Sequence, residues 1–392
     1  MVNRTTVTLT AALIAVLAAA AHPAAARCTT WSCGENTPIL SGTFIRGLST
    51  RGEADAARVT LRPQLQPAAT TGRCSGAGIR MQVTAGVLTG VRRGVVVCEG
   101  AELVGATFAV DVPYKATTMR HELRIAAIDQ VSTWEMDRAV VVPTYRFEMV
   151  ARGEVGPTTA ALPLPRLRTP VPLCAERSSW MEDWQIGDMQ PRPLSPAAGF
   201  LVYVNPDGVV GMQWRDATDH ALLVDGETYD ETGGAAQHGE QWFQIGCAGS
   251  AIAKMRLLGV DPHDPRAVAD AATTTTLRML GARYGGDAPF TRPGTPLKWQ
   301  RTDGRRYYGG PDPAAVLGPV EAGWDAKGAT CVSHLRLMRK AVVGTGWMVA
   351  MVEGYILASI DRRYHLQPCR APSGMWITTT VDHIDHGGGT GP

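Results

Sequence analysis

Charge is scarce in this chain, and neither sign is in clear excess. Charged residues make up 19%, below the ordinary ~25%, and 38 Lys+Arg nearly balance 36 Asp+Glu. A nucleic-acid footprint needs clustered positive charge, so this balance argues against such a partner. No two cysteines form a Cys-x-x-Cys pair, which argues against a zinc ribbon and a thioredoxin-like redox centre. A serine hydrolase finds no Gly-x-Ser-x-Gly elbow, and a nucleotide phosphate finds no Gly-x-x-x-x-Gly-Lys loop. No residue pattern calls for a cofactor, and nothing in the text names a partner.

Long apolar runs occur in two places. The first, from about Val7 to Ala21, follows Met1-Val2-Asn3-Arg4 and leads to His22-Pro23-Ala24-Ala25-Ala26. A charged start, an apolar middle and small residues before a cut are the order of a secretory signal. Cleavage is expected after Ala26, with Arg27 first in the mature chain. The run is shorter than the ~20 residues that span a bilayer. Arg27 before Cys28 argues against a lipid-modified cysteine. Loss of Arg4 lowers the formal net charge of +2 by one. The second run, Ala341 to Ile360, is long enough to span a membrane, but Glu353 near its middle is costly in lipid. A buried helix or paired strands is the expectation there, and no transmembrane segment is expected in the mature chain. The site of action is then the periplasm or the medium.

All eight cysteines follow the expected cut: Cys28, Cys33, Cys74, Cys98, Cys174, Cys247, Cys331 and Cys369. An even count in an exported chain reads first as disulfides. About a hundred pairings are possible. Closeness along the chain favours Cys28–Cys33, Cys74–Cys98 and Cys331–Cys369, which leaves Cys174 with Cys247.

The remaining chain is long enough for two domains. Short strand patterns fill the first half. Apolar residues alternate in Val59-Thr60-Leu61, Met81-Gln82-Val83, His121 to Ile125 and Tyr145 to Met149. Val95-Val96-Val97 is continuous, as suits a strand buried on both faces. Ala85 to Gly90 is faintly echoed by Gly100 to Gly105, too little for a solenoid. A sandwich or small barrel fits residues 27–160. The Pro-rich stretch 161–173 is the expected boundary.

Residues 174–376 are expected to form a mixed α+β domain, followed by a tail at 377–392. Phe200 to Val204 and Val209 to Trp214 flank Asn205-Pro206-Asp207-Gly208, a hairpin signal. Ala221 to Val224 suggests a third strand. Ile252, Met255 and Leu258 form an apolar helical stripe closed by Gly259. Asp264-Pro265 predicts a helix start, running to about Leu280.

Several segments here carry a family resemblance. They include Gly246 to Lys254, Leu277 to Asp287, Thr291 to Pro296, Glu321-Ala322-Gly323-Trp324 and Gly328 to His334. With the head Trp31 to Pro38, this series resembles the ADYC-domain family of exported bacterial proteins. Its specific part runs from Val209 to Leu335. The signature Ala-Asp-Tyr-Cys reads Ala282-Arg283-Tyr284-Gly285 here, without its Asp or Cys. The family pattern also places cysteines where Met255 and Thr276 stand, whereas Cys247 and Cys331 match. Joint loss of several cysteines implies that they were paired with one another and structural. The resemblance implies an α+β domain and brings no known activity, substrate or cofactor.

Two kinds of site are open. Cys247 lies near a helix start, where a thiol's pKa is lowered, and His334 follows it. That is a Cys/His hydrolase order, set against a disulfide at Cys247 and a surface His334. Tyr284, Asp287, Arg292 and Trp299 lie in and after the altered signature loop, where binding surfaces usually sit. Packing of Tyr284 and Trp299 on the neighbouring helix is the other reading. Asp382, His383, Asp385 and His386 are metal-ligand types, but they precede a Gly run at the chain end, so no metal site is assigned. A binding or envelope-associated structural protein is the first expectation; a secreted hydrolase is the second.

Overall fold

The computed structural model describes residues 35–36, 39–43, 45, 47–114, 117–135, 140–154, 171–174, 190–195, 200–204, 210–214, 220–230, 232–264, 271–285, 289, 291, 295–305, 320–333, 336, 366–370 and 373–380. These residues are mostly β, with two short helices. The signal segment, the run 341–360 and the tail 377–392 beyond Thr380 lie outside them. Among the described residues no helix is long and apolar enough to cross a membrane.

Strands β1 to β10 are Glu35–Asn36, Leu48–Ser49, Thr60–Gln66, Arg80–Thr84, Val87–Arg92, Val95–Glu99, Thr107–Tyr114, Thr117–Ser132, Val141–Glu154 and Val171–Pro172. β4 shows why this half folds as strands. Met81 and Val83 are buried while Arg80, Gln82 and Thr84 are exposed, the two-residue period of a half-buried strand. The β4–β5 and β5–β6 turns are Ala85–Gly86 and Arg93–Gly94, all four at positive φ. That backbone is the two-residue turn whose twist matches antiparallel strands. Val95-Val96-Val97 corrects the expectation of two-sided burial. Val95 is 63% and Val96 37% exposed, because β6 is the last strand of its sheet. The echo of Ala85 to Gly90 is not structural, since Gly100–Leu103 is a 3₁₀ turn.

Strands β11 to β15 are Gln190–Ser195, Phe200–Val204, Val210–Trp214, His220–Tyr229 and Ala235–Cys247. β12 and β13 pair antiparallel, as the Asn-Pro-Asp-Gly signal predicts. With β11 they form a three-stranded sheet. β14 and β15 form a hairpin that joins the large sheet, whose order is β2-β15-β14-β9-β8-β7-β3-β4-β5-β6, with β10 beside β9. The large sheet thus takes strands from both sides of the Pro-rich stretch. The seam between β14 and β9 is short, His220 opposite Arg146 and Ala221 opposite Tyr145.

β14 is buried on both faces, and the period-two rule sorts its side chains. Ala221 and Leu223 enter a core with Ile45, Leu61, Leu123 and Phe147. Leu222 and Val224 enter a second core with both helices and four tryptophans. Helix α1, Ala251–Leu257, begins at Ser250, whose Oγ accepts the Ala253 N–H at 3.3 Å. Gly259 closes it at φ +69°, the left-handed backbone that glycine adopts without strain. Helix α2, Ala272–Leu280, ends where the sequence predicts. Its start differs: the described helix begins at Ala272, after Ala271 at φ +48°.

β16 to β19 are Thr295–Arg301, Val320–Asp325, Gly328–Val332 and Trp376–Thr380. They form a small four-stranded antiparallel sheet ordered β16-β19-β17-β18, with β1 beside β16.

Candidate functional site

The chain leaves α2 through Gly281 and Ala282 and delivers Tyr284 into the second core, 1% exposed. Its ring stacks on Trp324 of β17 with centroids 5.2 Å apart. Its hydroxyl donates to Glu321 Oε1 at 2.7 Å and accepts the Arg336 backbone N–H at 3.0 Å. Arg336 Nε donates to the same Glu321 oxygen at 2.7 Å, and Nη1 donates to the Met279 carbonyl at 2.7 Å. The guanidinium also lies over the Trp324 ring, 5.5 Å from its centroid. The Arg336 and Glu321 side chains are 1% and 0% exposed.

A charge pair this deep stands only if its hydrogen bonds are met. Burial, and next the Glu321 carboxylate, push Tyr284 well above the usual tyrosine range. Tyr284 is therefore a neutral donor at any physiological pH. Glu321 reaches it because β17 bulges between Val320 and Ala322, which turns the side chain toward the helices. Glu321 Oε2 has no hydrogen-bond partner among the described residues.

The surroundings are closely fitted. The Tyr284 carbonyl accepts the Ala329 N–H at 2.7 Å. A Cβ on Gly328, whose φ is +129°, would sit 2.6 Å from that oxygen. Trp324 Nε1 donates to Thr378 Oγ1, and Trp376 Nε1 donates to Thr276 Oγ1, each at 2.9 Å. Trp299 stacks on Trp134, centroids 6.0 Å apart. This arrangement holds shape; its polar groups face one another inside the core.

A second cluster sits where the two cores meet. Asp225 of β14 is 3% exposed. Its Oδ1 accepts the Gly86 N–H at 2.7 Å and its Oδ2 the Ala85 N–H at 3.0 Å. His263 Nε2 lies 2.6 Å from Oδ2. Arg256 of α1 donates to the Ala85 carbonyl at 3.0 Å and pairs with Asp261. Together these groups grip the β4–β5 turn against β14 and α1.

The sequence-predicted residues fall as follows. Tyr284 and Trp299 are both in the core, each 1% exposed. Cys247 is bonded to Cys174, Cys74 to Cys98 and Cys331 to Cys369. Among the described residues there is no free cysteine. Cys28, Cys33, Asp287, Arg292 and His334 lie outside the described residues, as does the Asp382–His386 group. Met255 and Thr276, where the family pattern has cysteines, are both buried, one on each of the two helices. Sequence reasoning missed Glu321 and Arg336 as partners of Tyr284, and Asp225 with His263. Their separations in the chain carry no periodic signal.

Residues 210–338 match the family model described as the ADYC domain. The chain carries an ADYC domain. Tyr284, Glu321, Trp324, Arg336, Cys247 and Cys331 all lie inside the matched residues. The altered signature of the ADYC domain thus supplies a buried tyrosine to its core. No curated protein matches the chain, and no solved structure does.

Proposed function

We propose that this chain is an exported, disulfide-stapled binding or envelope-associated structural module built around its ADYC domain. One observation carries the reading. Cys247, the thiol placed for nucleophilic chemistry, has its sulfur bonded to Cys174, and a disulfide sulfur is no thiolate nucleophile. Burial of the signature tyrosine against Glu321 and Arg336 supports the same view, since it offers no face to a substrate. Three disulfides point to an oxidising compartment. Export by a signal cut after Ala26 accounts for that compartment. The β-rich part, residues 27–160, is a sandwich or small barrel. It precedes the Pro-rich stretch 161–173 and the ADYC part, which begins at 174. The ADYC part adds β14 and β15 to the sheet of the β-rich part, and its last described strand, β19, runs to Thr380, so a tail starts only after that residue.

Intact-mass analysis of the non-reduced exported protein, with and without an alkylating reagent, tests this. The expected product begins at Arg27 and takes up no reagent on any of its eight cysteines. Rapid alkylation of Cys247 without reductant overturns the reading and favours a hydrolase using Cys247 with His334. Retention of residues 1–26 overturns export by cleavage.

A further inference from the structure

β8 runs along one edge of β9. Two short pairings share the other edge, end to end. Arg146 and Tyr145 face His220 and Ala221 of β14, while Met149 and Glu148 face Val171 and Pro172 of β10. Between them the Phe147 carbonyl accepts the Leu173 N–H at 2.8 Å. β10 thus extends the β14 ladder along β9, across the seam between the two halves of the large sheet. Its own hold is small. Pro172 has no N–H to donate, and the burial comes from Leu173, 6% exposed in the first core. Two ladder pairs and one leucine are little to set against the entropy of ordering a strand. The next residue is Cys174, bonded to Cys247 at the end of β15. Among the described residues, the other two bridges lie elsewhere: Cys74–Cys98 reaches β6, and Cys331–Cys369 ties β18 to residues 366–370. Cys174–Cys247 alone among them fastens a strand paired with β9 to the β14–β15 hairpin. Cys174 is half-buried, whereas Cys74 and Cys98 are 3% and 0% exposed. A disulfide exchanges only where a thiolate can reach a sulfur.

We propose that Cys174–Cys247 is a redox clasp. Oxidised, it holds β10 on β9 and closes the seam. A dithiol reductant opens it. One reductant thiolate attacks the Cys174 sulfur, and Cys247 leaves as a thiolate. The second reductant thiolate then attacks the reductant sulfur of the mixed disulfide and releases Cys174. Two electrons pass to the clasp, the reductant becomes a disulfide, and its two protons end on Cys174 and Cys247. β10 then comes away and uncovers the β9 edge from Phe147 to Met149, where Phe147 and Met149 belong to the first core. The clasp rests on the disulfide-stapled reading and adds that one staple is reversible.

A dithiothreitol titration of the full oxidised chain, read by differential alkylation and amide exchange, tests the proposal. Cys174 and Cys247 are expected to take up reagent before Cys74 and Cys98. Once they do, the Leu173 amide is expected to exchange roughly tenfold faster, while the amides of α1 and α2 stay protected. Reoxidation restores protection at Leu173. The paired variant Cys174→Ser with Cys247→Ser is expected to show the same fast exchange without reductant. Cys331→Ser with Cys369→Ser is expected to leave Leu173 unchanged. A Leu173 amide that stays protected after the clasp is reduced overturns the proposal. So does reduction of Cys74–Cys98 first, or loss of protection in α1 and α2 in step with clasp opening. Alkylation of Cys247 before any reductant is added overturns the stapled reading itself, and the clasp with it.

Discussion

Replacing Arg336 with methionine tests whether the ADYC core rests on its buried polar triad. Arg336→Met removes the Nε–H bond to Glu321 and the Nη1–H bond to the Met279 carbonyl, both 2.7 Å. It also removes the cation over Trp324. What remains is a 0% exposed carboxylate held by the Tyr284 hydroxyl alone. Breaking one side of a buried pair costs about 3–5 kcal/mol. Tyr284→Phe strands less. The Arg336 N–H loses its acceptor and Glu321 one donor, for about 1–3 kcal/mol. The double change Glu321→Met with Arg336→Met removes both charges and refills the space. It is expected to be less destabilising than Arg336→Met alone, because uncompensated charge, more than lost attraction, sets the cost. Urea titrations of the oxidised protein, followed by tryptophan fluorescence, measure all four forms, since Trp324 lies against the triad. A loss below about 0.5 kcal/mol for Arg336→Met, as at an exposed site, refutes the reasoning. A double change no less destabilising than Arg336→Met alone refutes it equally.

Asp225→Ala leaves the Ala85 and Gly86 N–H groups without their acceptor; a loss of about 2–4 kcal/mol is expected, with faster amide exchange confined first to the β4–β5 turn. Acid acts through two groups on neighbouring strands. Burial holds His121 below its ordinary 6.5, so the unfolded chain binds that proton first, and stability falls as pH drops from about 6.5 toward the folded value. Asp111 is held below its ordinary 3.8 chiefly by its bond from Arg120, with Arg62 adding to it. Its contribution is whole above that value and fades as pH falls through the lower folded one. His121→Gln should therefore flatten urea midpoints from pH 6.5 down to the lower folded value while leaving the steeper loss in stronger acid. Removing Cys174–Cys247, which spans 73 residues, should lower the thermal midpoint more than removing Cys74–Cys98, which spans 24, since chain-entropy stabilisation grows from about 3 to about 4 kcal/mol over that range. Paired Cys→Ser variants compared by calorimetry check the order.

Short-range features were readable in the residues. The β12–β13 hairpin, the Gly259 stop of α1 and the end of α2 at Leu280 rest on local patterns of one or two turns, and they hold. Three disulfide pairings follow from sequence spacing and elimination, and the structure has them. The β6 burial went astray because an apolar run cannot say whether its strand is central or last. Tyr284 carried a signature and so drew notice, but its partners lie 37 and 52 positions away. Local pattern is set by φ, ψ and side-chain period, which every short segment carries within itself. Which core receives each face of β14, that Glu321 meets Arg336, and that the Ala85–Gly86 turn falls into the grip of Asp225 depend on contacts between distant segments. Those are decided when burial of whole faces outweighs chain entropy, a balance that only the assembled fold contains.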